Sequence, residues 1–308
     1  MVTPARRGPD LRAWAELLRL PALFTVPGDV LAGASASGGR PGPRTLLAIG
    51  SSVCLYEAGM ALNDWADRDE DAAERPHRPL PSGRVRPGAA LAAASVCTAA
   101  GLALAARAGR PALAVAIPLA AAVWAYDLGL KRTPAGPAAM AAARGLDLLL
   151  GAAATGPGTR PVRHAAPSAA LLAGHTLAVT AVSRRETTGG TPLVPLAALA
   201  TAGALTVLLG ARPGTRATSG TPAPARAAGD LLRTGIATGY AVTAARPCLH
   251  AALNPSPALT QRAVGGGIRA TIPLQAALCA RSGAPATALL TVVLAPLAAR
   301  FARKVSIT

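Results

Sequence analysis

Aromatic residues are scarce in this chain, with three Trp, three Tyr and two Phe among 308 residues. That scarcity removes the stacking platforms on which single-stranded nucleic acids are held. The formal net charge of +17 would otherwise suggest nucleic acid, but the basic groups fall as short clusters between apolar segments, the pattern of membrane topology. Nucleic acid is therefore not an expected partner. Lysine occurs only at Lys131 and Lys304, so nearly all the positive charge is Arg. The four cysteines, Cys54, Cys97, Cys248 and Cys279, stand singly in or beside apolar segments. Their spacing fits neither a zinc site nor a disulfide framework, which leaves them as small buried hydrophobes. Acidic residues are few as well, 14 in all.

What the chain does have is apolar length. Hydrophobic residues make up 51% and charged residues 15% of the sequence, in repeated runs long enough to cross a bilayer. The expectation is an all-α polytopic membrane bundle of about nine transmembrane helices, forming a single domain over 1–308 in the lipid bilayer. No cleavable amino-terminal signal pattern is visible, so the first apolar stretch is expected to be retained. Spans are read at about 17–36, 45–62, 87–106, 112–130, 138–154, 169–182 and 193–209. The last third (227–245, 268–280, 284–299) reads as three spans or as two and a re-entrant piece. The Pro-, Gly-, Thr- and Ser-rich linker 212–226 is expected to be the least ordered segment. With a cytoplasmic amino terminus, the loops near residue 70, at Lys131 and Arg132, and at Arg184 and Arg185 all fall on the cytoplasmic side, a modest bias.

Between the second and third spans lies Asn63 to Val85, NDWADRDEDAAERPHRPLPSGRV. Five of the chain's acids crowd into Asp64 to Asp71. A solvated loop can carry such a run, but at a membrane boundary packed carboxylates repel one another unless a cation neutralises them. On one continuous helix Asn63, Asp67 and Asp71 would stack at i, i+4 and i+8, with Asp64 close to their face. Oxygen ligands without His or Cys favour Mg²⁺, which takes one or two carboxylates and leaves positions for substrate phosphate. Arg75, Arg78, Arg84 and Arg86 follow in the same loop, and acids that hold a metal beside arginines that hold phosphate oxygens make a diphosphate site.

These residues resemble a known family. NDWADRDED fits the NDxxDxxxD signature of the UbiA superfamily of membrane prenyltransferases, with Asn63, Asp64, Asp67 and Asp71 on the fixed positions, and ERPHRPLPSGR resembles the segment that trails it. LRLPALFTVPGDVLAG (18–33) is similar to the family's first span, and YDLGLKRT (126–133) to its Tyr and Lys-Arg element. SRRETTGG (183–190) resembles a subgroup that includes EboC-like members. The resemblance implies Mg²⁺ as cofactor, an isoprenoid diphosphate donor and an unidentified acceptor. By the same resemblance, Asn63, Asp64, Asp67 and Asp71 would hold the metal, and Asp64, Asp67, Asp71 and Lys131 would be catalytic. Substrate would be held by Arg19, Arg75, Arg78, Tyr126, Lys131, Arg132, Arg144, Arg184 and Glu186.

The chain departs from the family's better-known enzymes at their second Asp-rich motif, whose acidic positions would fall near Ser183 and Thr187, leaving Glu186 as the only carboxylate there. Arg184 or Arg185 would then contact the diphosphate in place of a second ion. That loss keeps two alternatives open: a non-catalytic isoprenoid-lipid binding or transport protein on the same fold, and a membrane terpene cyclase. Arg144 and Asp147, i and i+3 within an apolar segment, read either as an ion pair with each other or as a substrate contact.

Overall fold

The computed structural model describes residues 10–19, 25–187, 189, 191–211 and 223–305. Twelve α-helices and no strand occur among them. Proline writes many of the boundaries. It stands in the first two positions of α2 (Val26–Ala36), α3 (Pro43–Ala66), α5 (Pro87–Ala108), α6 (Arg110–Leu128), α7 (Gly136–Ala153), α8 (Arg160–Ser183) and α11 (Pro257–Arg281). There the missing N–H has no helical partner to lose and the fixed φ starts the helix. Two helices are short, α1 (Leu11–Leu17) and α4 (Arg68–Glu74), the latter carrying Asp69, Glu70 and Asp71 of the acidic stretch, and α9 (Leu193–Gly210), α10 (Ala223–Leu253) and α12 (Pro285–Val305) complete the bundle.

Five helices, α3, α5, α6, α8 and α9, are long and apolar enough to cross a membrane. Their neighbours α7, α10 and α11 are comparably long but carry more charge or polarity, and α12 is apolar over Pro285–Leu294. The last third forms three full helices with no re-entrant piece among the described residues, and α10 begins at Ala223, inside the segment read as linker. Residues 212–222 of that linker lie outside the described residues. Peripheral helices turn Val96, Ile117, Leu196, Val207, Leu249 and Leu290 outward, as suits hydrocarbon rather than water.

The first apolar stretch is not one span. α1 ends at Leu17, Arg19 takes the left-handed conformation at φ 46°, and α2 begins at Val26. The left-handed turn at Arg19 and Pro27 at the new helix start divide it; residues 20–24 are outside the described residues. With 11 residues, α2 is about 16 Å long and cannot cross a hydrocarbon core of about 30 Å alone.

α2 is nonetheless the centre of the bundle. Gly28 through Ser35 are all buried, and the helix packs against α3, α7, α8 and α11. Burial on every side requires small residues at the crossings. A Cβ on Gly33 would stand 1.8 Å from the Leu148 carbonyl oxygen, and one on Gly151 would stand 2.2 Å from that of Val30. Backbone thus meets backbone where α2 crosses α7. Gly33→Ala or Gly151→Ala must push the helices apart, and each is expected to destabilise the bundle by about 1–3 kcal/mol. Thermal unfolding in detergent, followed by helical signal, checks this; unchanged stability in both variants would refute the close crossing.

Candidate active site

The acidic stretch does not continue as one helix. α3 stops at Ala66, Asp67 takes up φ −96° and ψ 6° as the junction, and α4 starts at Arg68. The junction keeps its turns hydrogen-bonded, with the Asp67 N–H donating to the Asn63 carbonyl at 3.0 Å and the Asp71 N–H to the Asp67 carbonyl at 2.8 Å. Its effect is to divide the expected stripe of Asn63, Asp67 and Asp71 into two clusters that share the mouth of the bundle.

The first cluster is Asp64 with Asp71, both buried. Arg78 bridges them, its Nη1 lying 2.7 Å from Asp71 Oδ2 and 3.7 Å from Asp64 Oδ1. Arg19 donates to Asp64 Oδ1 at 3.1 Å, and Arg75 lies 3.5 Å from Asp71 Oδ1. Pro76, Pro79 and Pro81 bend the loop after α4 back on itself so that Arg78 can face α3. Arg84 fastens the same loop to α1 through Glu16 at 2.7 Å. The hydrogen bond that Arg84 donates to Glu16 raises its guanidinium above its already high ordinary pKa, so the strap stays charged.

The second cluster is built on Asp67. Lys131 Nζ lies 2.8 Å and Arg132 Nη2 3.0 Å from Asp67 Oδ1. Asn63 Nδ2 donates to Asp67 Oδ2 and to Asp127 Oδ1, both at 3.2 Å. Asp127 in turn lies 3.9 Å from Lys131, one helical turn away, and Glu70 lies 3.6 Å from Arg132. A cavity of about 250 Å³ opens beside this cluster, and Asp67, Glu70, Tyr126, Lys131, Arg132 and Arg184 line it.

Arg184 enters the cavity wall in an unexpected way. Its Nη1 donates to the carbonyl oxygen of Thr133 and, at 3.5 Å, to that of Lys131. The guanidinium thus clasps the single 3₁₀ turn Leu130–Arg132 that presents Lys131 and Arg132. Ser183 also lines the cavity, whereas Glu186 sits in the turn after α8, outside its lining.

Arg144 and Asp147 are not paired with each other. Arg144 lies 3.0 Å from Asp29 of α2, and Asp147 Oδ2 accepts from Ser52 Oγ at 2.7 Å. The long Arg side chain reaches the buried Asp29, and Asp147 turns to α3. This group is remote from the mouth: Ser52 lies eleven residues before Asn63 on α3, about 16 Å at 1.5 Å per residue. Asp127 and Asp29 are the residues that sequence reading missed. For Asp127 a signal existed, since it stands four residues before Lys131 within the Tyr126–Thr133 element; for Asp29 only its place in an apolar segment pointed to a role.

The donor set matches a hard divalent ion in type, because it consists of carboxylate and amide oxygens, with no His or Cys side chain bonded into either cluster. Among the described residues no group of three or more His, Cys, Asp or Glu side chains stands ready as a metal cage. Each cluster instead offers two carboxylates, Asp64 with Asp71 and Asp67 with Asp127, in keeping with Mg²⁺ that draws its remaining ligands from phosphate and water.

Residues 23–211 match the UbiA prenyltransferase family. Among similar proteins, a digeranylgeranylglyceryl phosphate synthase of Methanopyrus kandleri is 36% identical over 129 residues, covering 40% of this chain and 46% of that protein. The bacteriochlorophyll synthase 33 kDa chain of Rhodobacter capsulatus is 35% identical over 89 residues, covering 27% of this chain and 29% of that one. The chain thus spans about half, or less, of the length of these relatives. A solved UbiA homologue from Aeropyrum pernix K1 shares the fold at a TM-score of 0.59 and 20% identity, over 80% of this chain and 96% of that one. Apolar helices of spanning length, the paired acid and base clusters at one end and the match over most of the bundle place the chain, an integral membrane protein, in the UbiA prenyltransferase family.

Proposed function

We propose that the protein transfers a prenyl group from an isoprenoid diphosphate to an acceptor of unidentified structure, in an Mg²⁺-dependent reaction at the mouth formed by α3, α4, α6 and α8. The observation that carries this reading is the convergence of Asp67, Lys131 and Arg132 with Asn63 and Asp127 on one cavity. Mg²⁺, when bound, supplies Lewis-acid stabilisation of the departing diphosphate. Asn63, Asp64, Asp67 and Asp71 would hold it, with Asp127 as a further oxygen ligand. Lys131 and Arg132, which flank Asp67, would bind diphosphate oxygens. Arg19, Arg75 and Arg78 offer a second set of donors from the other cluster, charge-assisted and therefore the stronger kind. Arg184 acts by holding the turn that presents Lys131 and Arg132. Tyr126 walls the same cavity and orients the donor's first carbons. Apolar bundle walls exclude water from the carbon that loses diphosphate.

In this proposal the mouth faces the cytoplasm, in accord with the Lys and Arg bias of its loops. The departure at Ser183 and Thr187 supports an EboC-like place within the family. One feature favours a second reading, a lipid-binding protein without catalysis: every carboxylate at the mouth already has an Arg, Lys or Asn partner.

Diphosphate release from geranyl, farnesyl and geranylgeranyl diphosphates in lipid nanodiscs separates the two. Release that requires Mg²⁺ and falls by about 100-fold or more in Asp67→Ala is expected, the scale on which electrostatic stabilisation of a leaving group operates. Binding without release would leave the lipid-handling reading. Arg78→Ala is expected to weaken donor binding by about tenfold, the effect of one lost charge-assisted hydrogen bond. Titration of the donor checks this, and unchanged affinity would reduce the arginine loop to a structural role.

A further inference from the structure

The bundle has a second charged end. The connections from α2 to α3, from α5 to α6 and from α7 to α8 all lie opposite the mouth. They meet there: Ser37 Oγ lies 3.0 Å from Thr155 Oγ1, and Ala48, Ala105, Ala112 and Ala153 share one core cluster beneath them. Across 37–46, 105–115 and 154–166 stand six arginines, Arg40, Arg44, Arg107, Arg110, Arg160 and Arg163, and no Asp or Glu. Each connection thus carries a pair of cations with no counter-charge of its own, whereas at the mouth every cluster mixes acid with base.

All six are exposed and, among the described residues, none has a side-chain hydrogen bond or ion pair. By contrast, Arg233 lies 3.0 Å from Asp230 and donates to the Gly210 carbonyl, and Arg281 donates to the Leu208 carbonyl, so these two close the end of α9. Helix stability does not account for the six. Arg44, Arg110 and Arg160 stand in the first turns of α3, α6 and α8, none of which has an acid there. A helix start favours negative charge, so a cation at that place is disfavoured. Arg107, in the last turn of α5, has the dipole in its favour. In the orientation proposed above the six face the trans side, where the topology rule for Lys and Arg gives them no part.

Their depth points to the partner. Leu46, two residues beyond Arg44, is 70% exposed and belongs to α3, a helix of spanning length. The guanidinium groups therefore stand at the border of hydrocarbon and water, the level of phospholipid phosphates. A planar guanidinium takes phosphate oxygens in bidentate fashion. We propose that this arginine patch binds the phosphate headgroups of anionic phospholipids and seats the end of the bundle opposite the mouth in an acidic leaflet. Inorganic phosphate offers the same oxygens, but six cations spread over three connections at one depth match a plane of headgroups rather than a single small ion. The proposal is independent of the prenyl-transfer reading, which concerns the other end.

The test is lipid retention by the full chain in neutral detergent, read by native mass spectrometry on titration with phosphatidylglycerol or with phosphatidylcholine of the same acyl chains. Phosphatidylglycerol is expected to be preferred, and Arg44→Gln/Arg110→Gln/Arg160→Gln to reduce that preference by about a hundredfold, about fivefold for each charge near an anionic surface. The three side chains are exposed and stand where a neutral residue suits the helix better, so the variant should fold; the single variants, each expected to lose about fivefold, carry the same reading if it does not. Equal retention of the two lipids by the unaltered protein overturns the proposal, as does a full preference in the folded variants. Excess inorganic phosphate that strips phosphatidylglycerol from the protein, and itself raises the unfolding temperature as much, would assign the patch to a free anion and overturn the lipid.

Discussion

The crossing of α2 and α7 is the constraint on which the rest of the bundle depends. Two glycines, Gly33 and Gly151, let the backbones touch, and the Asp29–Arg144 pair joins the same two helices one to two turns away. Close backbone approach brings dispersion contacts that lipid cannot replace, and the ion pair fixes the register in which those contacts form. Because α2 is buried on every side, each of its neighbours α3, α7, α8 and α11 takes its position from it. Those positions bring Asn63, Lys131 and Arg184 to one end. The mouth is thus set by a crossing that lies well below it.

At the mouth the organising principle is local neutrality. Carboxylates at a low-dielectric boundary are costly alone, and here each is matched by a cation or an amide donor. Asp67 is the pivot. It belongs to neither helix, and as the junction residue it can turn away from Asp64 and Asp71 toward Lys131 and Arg132. Parting one acid from the other two spreads negative charge over two clusters, and the cavity opens on the side of Asp67, Lys131 and Arg132. Arg184, next to Ser183, supports the cavity wall through the backbone carbonyls of Lys131 and Thr133.

Much of the fold was legible because apolar length is a one-dimensional property. Runs such as Pro87–Ala108 and Leu193–Gly210 carry their own helix signals, proline at or near the start and an unbroken apolar course. The first stretch was misread as one span because its hydropathy is continuous, whereas the chain turns left-handed at Arg19 and α2 starts at Val26 with proline in its second position. The Asn63–Asp71 stripe was misread for a related reason: its spacing is helical, but the helix changes course at Asp67, and periodicity does not register a bend. Asp127 was overlooked beside the more conspicuous Lys131, although the two are one turn apart.

By itself the sequence determined the membrane-bound helical architecture, the acidic and basic composition of one loop and the identity of Lys131 as its partner from afar, because hydropathy, motif spacing and residue scarcity need no third dimension. The tertiary structure alone decided which acid meets which base. It split Asp67 from Asp64 and Asp71, gave Arg144 to Asp29 rather than to Asp147, and turned Arg184 onto the carbonyls of Lys131 and Thr133. Ion pairs in a low-dielectric bundle form between the groups that packing brings within a few ångströms. Packing here is governed by small residues distributed along the whole chain, whose contacts no local stretch of sequence encodes.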